Sequence, residues 1–170
     1  DLTKNAMFIS DGEYLLTRGL IACVWQKHPY DFMIQLFSSG LSHDPGEHIY
    51  GTFTGTGDFI SMEITTDSWA GPEPGTYSTD SADGEPGFIE AEFALNLNAE
   101  TFEASRVYEL SSGKLILQKV GNEYEFTING TCEEYDQVED GKVIKEGINM
   151  ALHYKGSLPE YNFLTAEPSQ

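Results

Sequence analysis

The chain has 170 residues, enough for one domain whose core folds without disulfide or metal staples. Twenty-eight Asp and Glu against nine Lys and Arg leave a formal charge of -19, a field that repels phosphate backbones and anionic bilayers and so argues against nucleic acid and membrane surfaces as partners. No stretch approaches the roughly 20 apolar residues of a membrane-spanning helix.

The chain opens at Asp1 with a polar segment and no initiating methionine, which reads as a mature or trimmed form that has lost a targeting segment. From Tyr14 to Gln26 it is apolar on several faces and broken by Gly19; periodicity leaves a strand pair and a short helix open, and Ile21, Val24 and Trp25 favour strand. Phe32 to Phe37 reads as a strand with apolar residues on both sides. Ser38 to His48 is dense in turn formers and reads as an exposed loop. Phe59 to Thr65 alternates, with Ile60, Met62 and Ile64 inward. Asp67 to Tyr77 carries Gly71, Pro72, Pro74 and Gly75 and reads as a second loop. A turn cluster from Ser78 to Gly87 precedes a strand with Ile89, Ala91, Phe93 and Leu95 inward, and Thr101 to Leu110 holds one more short strand.

Gly113 to Leu158 reads as a β-meander. Tyr124, Phe126 and Ile128 face in against Glu125, Thr127 and Asn129; Ile148, Met150, Leu152 and Tyr154 face in against Asn149, Ala151, His153 and Lys155. The Asp140-Gly141 pair is a hairpin signal. The segment after Leu158 reads as a strand end or packed extension. The expected fold is all-β: a single antiparallel β-sandwich or flattened barrel over residues 1-170, with about eight to ten strands and a C-terminal meander. Cys23 and Cys132, which lack a CxxC partner, read as buried free thiols ahead of a bridge between distant strands.

A turn of Gly75, Thr76 and Tyr77 between two strands, a strand from Ser112 to Leu117, another from Gly121 to Ile128, and an ending from Asp140 to Leu158 together resemble secreted lipoproteins of Bacteroidetes. These are small β-sandwich or β-barrel domains of largely unknown function. The resemblance implies a lipid-bearing cysteine upstream of Asp1 and export to the outer membrane, cell surface or periplasm. It carries over no binding or catalytic residues, because its motifs are turn chemistry.

Three constellations are candidates for a site. His43, Asp44, Glu47 and His48 place two imidazoles and two carboxylates in one loop, ligand types that zinc accepts, although the Pro45-Gly46 step between them is the usual make-up of a solvated turn. Asp80 and Asp83, with Glu85, could offer oxygens to calcium, without the spacing of an EF-hand. No cofactor is expected beyond a calcium ion that these oxygens could hold. Trp69 lies beside Asp67 and Glu73 in the Pro/Gly-rich loop, with Tyr77 following and Tyr50 and Trp25 as further companions, and an exposed ring flanked by acceptors can stack on a sugar. Asp80-Ser81-Ala82 also fits the short site of bacterial O-glycan attachment. No GxSxG, P-loop, GxGxxG or HExxH motif occurs, so the reading is non-catalytic. The expected function is an exported envelope domain that binds an extracellular glycan or protein through loops at one end. The alternatives are a structural or adhesion subunit assembled through strand edges and, behind it, a hydrolase with a carboxylate or metal site.

Overall fold

The computed structural model describes residues 3-25, 27-46 and 51-162. The N-terminal half forms β1 (Ala6–Ile9), β2 (Gly12–Leu15), β3 (Arg18–Trp25), β4 (Tyr30–Phe37), β5 (Leu41–Asp44) and β6 (Thr52–Thr66). The rest forms β7 (Gly75–Ser78), β8 (Ile89–Asn98), β9 (Arg106–Val120), β10 (Glu123–Tyr135), β11 (Val143–Gly156) and β12 (Glu160–Asn162). Among the described residues there is no helix, and so none that is long and apolar enough to cross a membrane.

Ten strands follow one path, β12-β3-β4-β6-β8-β9-β10-β11-β1-β2, while β5 hangs on β6 and β7 on β9. Every ladder is antiparallel except β12 on β3. The sheet is open and strongly curled, a half-barrel rather than two packed layers. Two observations define the curl. Leu16 and Thr17 alone connect β2, at one end of the path, to β3, next to the other end, and two linking residues span on the order of 10 Å at most. Across the concave side, the Tyr124 hydroxyl of β10 donates to Glu160 of β12 at 3.3 Å.

The alternating residues account for the concave core. Ile34, Ile60, Met62, Ile64, Phe126, Ile128 and Leu152 are all fully buried there, each aliphatic side chain contributing about 1.5-3 kcal/mol of transfer free energy. A smaller cluster lies on the convex face, where Leu20, Ala22, Phe37, Leu41 and Ala99 are packed by Met33, Phe53 and Phe59. It explains why β4 is apolar on both sides. Gly113 of β9 and Gly130 of β10 face each other beside a register shift. A Cβ on Gly130 would lie 2.2 Å from the Ser112 carbonyl oxygen, so only glycine allows the two backbones this approach.

Of the expected sandwich or flattened barrel of about eight to ten strands, the structure shows the all-β class as one curled open sheet with ten strands on its path and two beside it. Part of the presumed loop Ser38-His48 pairs as β5 with the start of β6, because Leu41 inserts into the convex cluster. The Gly75-Thr76-Tyr77 turn is itself a strand, β7, pairing with Thr76 opposite Ile116. The short strand before Leu110 and the one from Ser112 are a single 15-residue strand, β9. His153, placed outward by alternation, is buried: β1 covers it, and its ring meets the Lys4 carbonyl at 3.0 Å and Glu125 at 2.7 Å. The meander from Gly113 to Leu158, formed by β9, β10 and β11, and the strand reading of the region from Tyr14 stand as read. Cys23 and Cys132 are free and buried.

Candidate functional site

Trp69 sits in the loop between β6 and β7 and is 54% exposed. Its ring lies 6.4 Å from that of Tyr30, tilted by 46°. Tyr30 opens β4, and the preceding turn brings His28 edge-on to it at 5.8 Å. His28 Nε2 in turn meets Asp67 Oδ1 at 2.8 Å, which ties the β3-β4 turn to the β6-β7 loop. Asp31, next along β4, accepts a hydrogen bond from Thr65 at 2.8 Å. The result is a surface patch of the exposed Trp69 ring, the Tyr30 ring half-buried against the core, an imidazole and a carboxylate. Beside it a hollow of about 270 Å3 is lined by Trp69, Gly71, Cys23, Phe32, Glu160 and Tyr161.

Of the four residues singled out around the sugar platform, the structure keeps Trp69 and Asp67 at this surface, leaves Glu73 exposed on the same loop and buries Tyr77. Tyr77 is a core residue, 4% exposed, whose hydroxyl donates to the Glu73 carbonyl, and burial raises its phenol above its usual range. Glu73 accepts from the buried Thr66 hydroxyl at 3.3 Å and acts as a brace for the loop. Tyr30 and His28 were missed because they lie about 40 residues from Trp69 and only the β4-β6 ladder, with Tyr30 opposite Thr66, joins them. Trp25 is exposed at the end of β3; Tyr50 lies outside the described residues.

The metal donors expected from the sequence fall partly outside the described residues, and those that are described each have a local role. His43 stacks against Phe53 at 4.8 Å and Tyr161 at 5.7 Å. Asp44 accepts from the Gly46 N–H at 3.0 Å, the short bond of an Asx turn. Glu47 and His48 lie outside the described residues. The Asp80 N–H donates to Ser78 Oγ at 3.1 Å, whereas Asp83 adds its charge to the field at Glu63 and Glu90. Among the described residues no three His, Cys, Asp or Glu side chains form a metal-holding group.

A second surface was not visible in the sequence. On the convex face the ladders align residues of five strands into transverse rows. One row runs Gln35, Ser61, Glu92, Glu109, Glu133 over β4, β6, β8, β9 and β10. The next runs Phe37, Phe59, Ala94, Val107, Tyr135 over the same strands. An apolar trough of about 440 Å3 follows this second row, walled by Glu92 and Glu109 and closed by Asp136 and Asp140 of the β10-β11 loop. Glu63 faces Glu90 one row further. Burial first, and then neighbouring carboxylates, raise Glu63, Glu90 and Glu109 above their ordinary range.

Comparison with family models, with curated proteins and with solved structures gives no match for this chain.

Proposed function

We propose that the chain is a non-catalytic, exported cell-envelope domain that binds an extracellular glycan through Trp69 and Tyr30. The observation that carries this reading is the half-exposed Trp69 ring set at an angle to Tyr30, with the His28-Asp67 pair beside it. Two tilted rings offer a sugar ring an apolar face, and Asp67, already oriented by His28, offers its hydroxyls an acceptor. Strands and short turns hold the patch, so little ordering is needed on binding. Export is supported by the resemblance to secreted lipoproteins and by Asp80-Ser81-Ala82, which lies in the turn after β7 with Asp80 and Ala82 exposed.

The test is a polysaccharide and glycan array with the purified protein, run with calcium and again with a chelator. A saturable signal that Trp69→Ala abolishes, at a stability cost under about 1 kcal/mol, supports the reading. Silence in both buffers, or unfolding by Trp69→Ala, removes it.

A second reading, assembly through strand edges, is favoured by β2. It ends the path with no partner on its outer side among the described residues, and Leu15 is 57% exposed there. Sedimentation that shows concentration-dependent self-association, lost in Leu15→Lys, supports this alternative.

A further inference from the structure

The convex trough lies at the opposite end of β4 from the aromatic patch. Tyr30 and Phe37 are the two termini of this eight-residue strand, about 23 Å apart. The two surfaces are therefore separate.

Its floor is apolar. Phe59, Ala94, Leu97 and Val107 line it, and a further hollow of about 550 Å3 shares Phe59 and Leu97 and reaches Phe53 and Phe102, the latter 79% exposed. The four strands that line it, β6, β8, β9 and β10, make the trough on the order of 15 Å long, the span of about four residues of extended peptide. One wall is anionic over β8, β9 and β10, where Glu92, Glu109 and Glu133 stand in direct cross-strand register, and neutral at Ser61 of β6. Opposed like charges destabilise a ladder, and among the described residues no ion pair reaches Glu92 or Glu109. The Tyr135 hydroxyl donates to Glu133 at 2.9 Å, which fixes the ring at the border between the apolar and acidic rows.

The far end is preorganised. Asp136 accepts from the Val138 and Glu139 N–H groups at 2.7 and 3.1 Å, and Gln137 bonds both backbone groups of Ala104. The loop that closes the trough is thus tied to the β8-β9 connection. Apolar floor, acidic wall and acidic end select one chemistry. An anionic lipid or an acidic peptide would be repelled, and a plain sugar leaves the floor unused.

We propose that this trough docks a polypeptide segment that is at once apolar and basic, its apolar side chains on Phe59, Ala94, Leu97 and Val107 and its Lys or Arg against Glu92, Glu109 and Glu133. Charge steers the segment in, and the floor supplies the specificity that charge alone lacks.

The test uses three fluorescein-labelled ten-residue peptides: alternating Leu and Lys, alternating Leu and Glu, and alternating Ser and Lys. Anisotropy titration of the full chain at moderate salt should show saturable binding of the Leu-Lys peptide and at least about tenfold weaker binding of the other two. The double variant Glu92→Gln/Glu109→Gln should weaken Leu-Lys binding about tenfold, while Glu123→Gln/Glu146→Gln, which removes the same charge from exposed positions elsewhere, should leave it within about twofold. Amide chemical-shift changes should fall on Ala94, Leu97 and Val107 and spare Trp69. Equal loss in both double variants, equal affinity for the Ser-Lys peptide, shifts confined to the Trp69 loop, or no binding at all would each overturn the proposal.

Discussion

Glu109 faces Glu92 on one side and Glu133 on the other. Its carboxyl is raised above the ordinary 4.5, by burial first and then by Glu92, Glu90 and Glu133. The native chain therefore binds this proton more readily than the unfolded chain. The resulting contribution to stability is complete below 4.5 and is lost as pH rises through the raised native value. At neutral pH what remains is a penalty. Glu109→Gln should stabilise the protein by about 0.5-1 kcal/mol at pH 7.5, and the difference should vanish by about pH 4. Urea denaturation at the two pH values checks this; a less stable variant at pH 7.5 would show that the carboxylate has a compensating partner. The thiols make a second prediction at this scale. Cys132 is pushed up to about 11 by burial and, secondarily, by Glu134, and Cys23 is raised by burial against the Trp25 carbonyl bond that lowers it. At pH 8 about one Cys132 in a thousand is thiolate. Ellman-type reagent should thus label Cys132 in the folded protein slowly and promptly in denaturant, and fast labelling of the native thiol would place it outside the core.

Among the elements, β9 and β10 approach closely where Gly113 faces Gly130. A methyl group on Gly130 would meet the Ser112 carbonyl oxygen at 2.2 Å and Gly113 Cα at 2.8 Å, both backbone atoms that cannot turn aside. Gly130→Ala should therefore cost about 1-3 kcal/mol, read as a lower urea midpoint with the slope unchanged; a neutral substitution would mean that the two strands have slack at this point. The same elements show how much was legible. Strands with one wet face, such as β8 with Glu90 and Glu92 out and Ile89, Ala91 and Phe93 in, could be read from period alone. β5 could not, because Ser42, His43 and Asp44 look like turn residues and only Leu41, which meets the convex cluster, marks it as strand. β7 is strand because Leu115 and Leu117 of β9 offer it an edge, which its own Gly-Thr-Tyr sequence does not reveal. The site divides likewise. Trp69 and Asp67 are neighbours in sequence and were found, whereas Tyr30, His28 and the whole Glu92-Glu109-Glu133 row exist as neighbours only through ladder register.

For the whole molecule, charge and curl act against each other. Curling brings the ends of the sheet path together through Leu16 and Thr17 and sets most of the apolar core on the concave side. Carboxylates are then left on the outside, and the formal charge of -19 is offset by only five ion pairs among the described residues, two of which rely on histidine. Self-repulsion of this kind weakens the compact state and is screened by salt, since the Debye length falls from about 30 Å at 0.01 M to about 8 Å at 0.15 M. Raising NaCl across that range should increase the unfolding free energy in urea by about 1 kcal/mol or more. On the convex face like charges stand in register, Glu63 against Glu90 and Glu109 against both Glu92 and Glu133. The Glu92→Gln/Glu109→Gln variant should consequently show a smaller salt response than the wild type, and a larger reduction than Glu123→Gln/Glu146→Gln produces. Identical salt slopes in the two double variants would mean that net charge alone sets the response and that the row across β8, β9 and β10 has no special share in it.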